Sequence, residues 1–117
     1  MAKVVPAKQF SHKQEVGTRL RAVRLAKGWE GVTFAAMIQD GFTPQKLSNY
    51  EGGINMLPIQ YTGKISALVK GADVNYLYHA DMSHLDPEFA VKVSKKIAEI
   101  EADLLRAPKP TRRRKRA

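Results

Sequence analysis

Helix starts and stops are written into this chain at short intervals: Ser11, Gly28, Gly41, Thr43-Pro44, Gly52-Gly53, Pro58, Gly71, Asp73 and Asp86-Pro87-Glu88. Between them apolar residues return at steps of three and four, and no segment long enough to matter alternates with period two. No sheet is expected of such a chain. It is expected to be all-α, a set of short helices around one core, because 117 residues with 44% hydrophobic content hold one compact domain plus tails.

Ser11-His12-Lys13-Gln14 has the spacing of a capping box, so a first helix should start there. Val16, Leu20 and Val23 form its buried stripe, and Gly28 accepts the left-handed conformation that closes a helix. Phe34, Met37 and Ile38 mark a second helix over about 31–39, with Gly41 as its stop. Thr43 offers a hydroxyl cap, and Pro44 loses nothing at the first helical position; Leu47 and Tyr50 should point inward from this third helix, 43–51. Pro58 is expected to open a fourth helix carrying Tyr61, Ile65 and Leu68, closed by Gly71. Asp73 caps a short fifth with Val74, Leu77 and Tyr78 facing the core. Asp86-Pro87-Glu88 starts a sixth, where Phe89, Val93, Ile97, Ile100 and Leu104 repeat over about 30 Å of helix ending near Ala107. The expected organisation is a loose arm at 1–10, a helical domain at 11–80, a C-terminal helix at 86–107 and a tail at 108–117.

The net charge of +9 is unevenly placed. Residues 1–84 carry ten Lys/Arg against six Asp/Glu, residues 85–107 four against five, and residues 108–117 six against none. Such a tail suits a polyanion, because each cation that neutralises a phosphate releases condensed counterions. Arg112, Arg113, Arg114, Lys115 and Arg116, freed from helix by Pro108 and Pro110, can track phosphates or enter a minor groove. The same run also reads as a solvated tail or a nuclear targeting signal. Cysteine is absent, which removes disulfides and thiolate metal sites and fits a reducing cytoplasm. No apolar run approaches the ~20 residues of a spanning helix, so no membrane role is expected. His12, His79 and His84 lack metal spacing, and no phosphate loop or nucleophile elbow appears. An enzyme, a cofactor and a metal are not expected.

Two short helices separated by a turn, the second starting at Thr43, form the pattern in which one helix braces while the other presents its N-terminal residues to the major groove. Gln45 and Asn49 are four apart, hence on one face, with Lys46 and Ser48 beside them. A side-chain amide carries a donor and an acceptor in one plane, matching the N6/N7 edge of adenine. Read without context, both are equally polar residues on a solvated face. Arg19, Arg21 and Lys27 read as solvated charges, and only those bordering a groove would matter.

Arg19-Leu20-Arg21 through Lys27-Gly28-Trp29, Phe34-Ala35, Leu47-Ser48-Asn49-Tyr50-Glu51-Gly52-Gly53, Pro58 and Gly71-Ala72-Asp73-Val74-Asn75-Tyr76-Leu77 stand in an order and spacing that resembles the lambda-repressor/Cro-like (XRE-type) helix-turn-helix family, over Val16 to Tyr78. The resemblance implies a five-helix DNA-binding domain, here with an additional C-terminal helix and basic tail. It also implies a cytoplasmic, nucleoid-associated transcription regulator that binds double-stranded DNA as a homodimer. Carried over by position, Gln45, Lys46, Ser48 and Asn49 match base contacts. Thr43, Arg21, Lys27 and Asn55, with the tail residues Arg112 to Arg116, are the backbone-contact candidates. Arg24 and Glu51 match an internal ion pair.

The departures are specific. Gly31 stands where the family has a phosphate-anchoring Gln, and Pro44 replaces a polar base reader. Gln39-Asp40 looks like a two-residue insertion in the turn, and Ile54-Asn55-Met56-Leu57 replaces a loop that often carries Lys or Arg. These leave room for a protein-interaction module, of the antitoxin, anti-activator or phage-component kind, and the tail alone would support sequence-independent nucleic-acid binding. The sixth helix could fold back on helices one and five or pair with a second subunit through Val93, Ile97, Ile100 and Leu104. Met56 and Leu57, expected to be exposed, offer another contact.

Overall fold

The computed structural model describes residues 10–106, and among them every regular element is helical, with no strand. The expected arm at 1–10, but for Phe10, and the tail at 108–117 with Arg112 to Arg116, lie outside the described residues, as does Ala107. Six α-helices follow in order: α1 His12–Lys27, α2 Gly31–Ile38, α3 Pro44–Glu51, α4 Thr62–Leu68, α5 Val74–His79 and α6 Pro87–Arg106, with a 3-10 turn Ile59–Tyr61 before α4. No helix among the described residues is long and apolar enough to cross a membrane.

Caps set the boundaries. The Ser11 hydroxyl accepts the Gln14 amide at 3.1 Å, and Gly28, at φ 78°, closes α1 by donating to the Leu25 carbonyl at 2.9 Å. Asp86 Oδ2 accepts the Glu88 and Phe89 amides, each at 3.1 Å, and starts α6. Three expected boundaries move. α2 ends at Ile38, ahead of Gly41, because Gln39 already leaves the helix at φ 66°. Pro58 opens the 3-10 turn, and α4 proper begins at Thr62 and ends at Leu68, where Val69 turns extended. Gly71 serves the next turn instead: at φ 88° it lets the 81–85 loop approach so closely that a Cβ would stand 2.1 Å from the His84 carbonyl oxygen.

The core is continuous through all six helices. Val16, Leu20 and Val23 of α1 are fully buried and share one core with Phe34 and Ile38 of α2, Leu47 and Tyr50 of α3, Ile65 of α4 and Val93 of α6. Tyr76, with its hydroxyl donated to the Arg19 carbonyl at 3.0 Å, is the inward residue of α5 in place of Val74, which stays partly exposed. Leu57 is buried and Met56 partly so, against expectation; the exposed apolar residues on either side are Ile54 in the loop and Ile59 in the 3-10 turn. The expectation for α6 resolves toward folding back. It packs chiefly on α1, burying Val93 and Ile100 and partly burying Ile97, so these three face the chain's own core, whereas Leu104, expected in the same stripe, is exposed.

Arg19, read from the sequence as solvated, is a half-buried cap. Its Nε donates to the Leu77 carbonyl at 2.8 Å and its Nη2 to that of Tyr78 at 3.3 Å, satisfying carbonyls that the end of α5 leaves without a helical partner. Burial lowers its pKa, and Glu15, Tyr76 and Glu101 work against that shift.

A second polar tie holds the 81–85 loop. Asp73 Oδ1 accepts the Tyr76 amide at 3.0 Å, while Oδ2 lies 2.8 Å from His84 Nδ1. The hydrogen bond and charge of Asp73 raise the His84 pKa. Burial pushes Asp73 upward, but the His84 and Tyr76 hydrogen bonds outweigh it and leave the carboxyl below its ordinary value. The imidazolium therefore contributes stability fully below the ordinary histidine range and loses it as pH rises through the raised value. The carboxylate contributes above the ordinary aspartate range and loses it as pH falls through the depressed one. The tie is expected to be strongest at mildly acidic pH. NMR titration should place His84 above a free histidine, and Asp73→Asn, which keeps the cap, should bring it down; an unmoved titration would disprove the pairing.

Candidate nucleic-acid interface

α3 is held from three sides. α1 crosses its C-terminal end at Gly17, where a Cβ would stand 2.2 Å from the Tyr50 carbonyl oxygen and 2.7 Å from that of Glu51. A glycine inside an otherwise regular helix is the sequence signal for such an approach, and the sequence reading passed over it. Beside the crossing, Arg24 Nε and Nη2 donate to the two Glu51 carboxylate oxygens at 2.7 and 2.9 Å, and Nη1 donates to the Trp29 carbonyl at 2.9 Å. One guanidinium thus ties the end of α1, the loop after it and the last residue of α3. Under α3, Phe42 packs edge-on against Tyr61 at 4.7 Å between ring centroids and lies 5.5 Å from Tyr50, an aromatic cluster that sequence reasoning missed at Phe42.

The turn into α3 is strained. Gln39, Asp40 and Gly41 run consecutively at φ 66°, 51° and 79°, and Gln39 combines its φ with ψ −154°, a region that suits glycine. Contacts from the α4 side hold it there: the Tyr61 hydroxyl donates to the Asp40 carbonyl at 3.2 Å, and Lys64 Nζ lies 2.8 Å from the Asp40 carboxylate. Gln39→Gly is expected to stabilise the protein by about 1 kcal/mol through strain relief, read as a rise in the thermal midpoint. A fall would mean that the Gln39 side chain makes a contact worth more than the strain.

On the outward side of α3, Gln45, Lys46 and Ser48 are exposed and Asn49 is half-exposed. Gln45 Nε2 donates to Asn49 Oδ1 at 3.2 Å, so the two amides lie side by side one turn apart. Thr43 spends its hydroxyl on the Lys46 amide at 3.1 Å as the cap of α3. A Cβ on Gly41 would stand 3.9 Å from Lys46 Nζ, which places that ammonium over the strained turn. Asn55 is exposed, and its backbone N–H donates to the Asn49 backbone carbonyl at 3.2 Å, carrying the loop back against the end of α3.

A groove of about 420 Å³ runs beside this face, lined by Arg21, Arg24, Gly31, Pro44, Leu47, Ser48, Glu51 and Gly52. Gly31 adds no side chain to it, and an added Cβ there would meet only Leu47 Cδ2, at an ordinary 3.5 Å. Arg21 is brought to the edge of the candidate interface. Lys27 is not, since its ammonium lies over the rings of Trp29 and Phe89, 5.9 and 5.1 Å from their centroids. The tail candidates lie outside the described residues.

The assembled surface brings Gln45, Lys46, Ser48 and Asn49 of α3 beside a groove bordered by Arg21. Among the described residues no group of three or more His, Asp or Glu side chains gathers as a metal site would. No family model matches the chain, and neither a curated protein nor a solved structure does.

Proposed function

We propose that this protein is a sequence-specific DNA-binding regulator of the lambda-repressor/Cro-like helix-turn-helix type. In this reading α2 and α3 form the two-helix unit, α3 enters the major groove of double-stranded DNA, and Gln45 and Asn49 read base edges with Lys46 and Ser48 beside them. Arg21, at the rim of the groove beside α3, meets a phosphate, and the basic tail adds contacts that do not depend on sequence. Occupying an operator then blocks or recruits polymerase.

The main support is the amide pair on α3, with Gln45 exposed and Asn49 partly so. Two amides four residues apart on one helix face give donors and acceptors in the spacing that successive base edges require. α3 is held at its end by Gly17 and Arg24 and at its start by the tied turn, so this face is presented without the ordering cost that a loose loop would bring.

A genome-wide binding map of the full chain, followed by affinity measurements on its strongest site, tests the reading. Gln45→Ala and Asn49→Ala are each expected to weaken specific binding by about 1–3 kcal/mol. Deleting 108–117 should weaken specific and non-specific sites alike and flatten the salt dependence by roughly one unit of slope for each phosphate that the tail neutralises. Peaks indifferent to both amides but erased by the deletion would replace operator reading with sequence-independent binding. A map without peaks, together with a stoichiometric protein partner, would replace it with an interaction module.

A further inference from the structure

α6 rests on α1 through Val93, Ile100 and the partly buried Phe89 and Ile97, and the two run antiparallel: Lys27 at the end of α1 meets Phe89, whereas Glu15 near its start lines a cavity with Glu101. The opposite side of the α6 cylinder is left uncovered by the described residues. Along it Val91, Ala98 and Leu105 recur every seven residues, with Ala102 between the last two, and Val91 and Leu105 are 57% and 61% exposed. A seven-residue step returns to within about 20° of the same line, so these residues form one apolar row roughly 21 Å long.

The flank of that row carries the second observation. Glu88, Lys92, Lys95, Glu99, Asp103 and Arg106 lie along one edge of it, all exposed. Their signs run minus, plus, plus, minus, minus, plus. Read backwards, the pattern is its own complement. A two-fold axis perpendicular to the helix brings a flank against the same flank of a second copy with the direction reversed. Centred near Ala98, it sets Glu88 opposite Arg106, Lys92 opposite Asp103 and Lys95 opposite Glu99, while Val91 meets Leu105 and Ala98 meets itself. Self-complementarity of this kind is what an interface between identical subunits related by a two-fold axis requires.

We propose that the outer face of α6 is a dimer interface, on which a second copy of this chain seats its own α6 antiparallel about Ala98. Ala98 and Ala102 allow close approach of the helices, Val91 and Leu105 close the two ends of the row, and the flank charges set direction and register. A helix pair of this length buries less than the ~1,600 Å² of a standard interface, so the dimer is weak, with a Kd of roughly micromolar or above. The inference does not depend on DNA binding and is tested without nucleic acid.

The natural sequence has no cysteine, so single thiols report cleanly. Mixing full-length Val91→Cys and Leu105→Cys chains under mild oxidation should give the mixed disulfide, with little from either variant alone, because a disulfide needs Cα atoms within about 7 Å. Sedimentation equilibrium should show a dimer that Ala98→Glu weakens at least tenfold while helical content is unchanged. Lys95→Glu should weaken it by a similar factor, and adding Glu99→Lys should restore it. A homodisulfide from Val91→Cys alone, no mixed disulfide, or a monomer at hundreds of micromolar would each overturn the proposal.

Discussion

Replacing Gly17 by alanine is expected to destabilise the protein by about 3 kcal/mol, although the change normally favours a helix interior by roughly 0.5–1 kcal/mol. The sign is set by the neighbour. The added methyl would stand 2.2 Å from the Tyr50 carbonyl oxygen, and that atom belongs to the backbone of α3 and cannot swing aside as a side chain tip would. α1 and α3 must part, and the packing of Val16 and Leu20 against Leu47 and Tyr50 loosens with them. In a domain of this size the loss corresponds to a thermal midpoint lower by roughly 10–20 °C. Gly63→Ala is the control: nothing stands within 4 Å of its added methyl, so helix propensity alone acts and the midpoint should rise slightly. Equal effects of the two substitutions would show that the helices do not touch at Gly17.

Glu51→Ala is expected to cost about 3 kcal/mol, at the low end for a broken buried pair. The Arg24 and Glu51 side chains retain only 13% and 10% of their exposure, so removing the carboxylate strands a guanidinium with little access to water. Glu51 also ends α3, where a negative charge opposes the helix dipole, and Arg24 is what makes an acid tolerable there. Replacing both residues together, Arg24→Met with Glu51→Leu, should cost much less than Glu51→Ala alone, because no charge is left unpaired. Denaturant unfolding of the two singles and the double closes the cycle; a double variant as unstable as the sum of the singles would mean that the pair is not coupled.

The two substitutions act on one object, the attachment of α3 to α1, and the sequence disclosed its halves unequally. The helix itself was legible, since Thr43, Pro44, Leu47 and Tyr50 write its cap and its inner face locally. Arg24 with Glu51 came through resemblance, because residues 27 apart carry no local mark of their pairing. Gly17 was legible only as an oddity inside a regular helix. The turn was noticed at Gln39-Asp40 as an insertion, but its three left-handed residues and their ties to Tyr61 and Lys64 required coordinates.

The same division runs through the surface. Composition shows a basic chain, yet it cannot show that Arg19 is spent on the carbonyls of α5, that Lys27 sits over two rings, or that Arg21 borders an open groove. Nor can periodicity assign a destination to α6: its 3–4 stripe states which face is apolar, and only the fold shows that α1 occupies it while the described residues leave the opposite row uncovered.

What this sequence determined by itself is the class of fold, the number of helices and most of their ends. Those depend on capping hydroxyls, glycines, prolines and apolar spacing, all of which act within a turn or two along the chain. What only the tertiary structure decided is which charges are spent internally, how closely α1 approaches α3, and which side of α6 packs on α1. Those depend on contacts between residues far apart in sequence, where a single missing Cβ or one half-buried guanidinium outweighs any local preference.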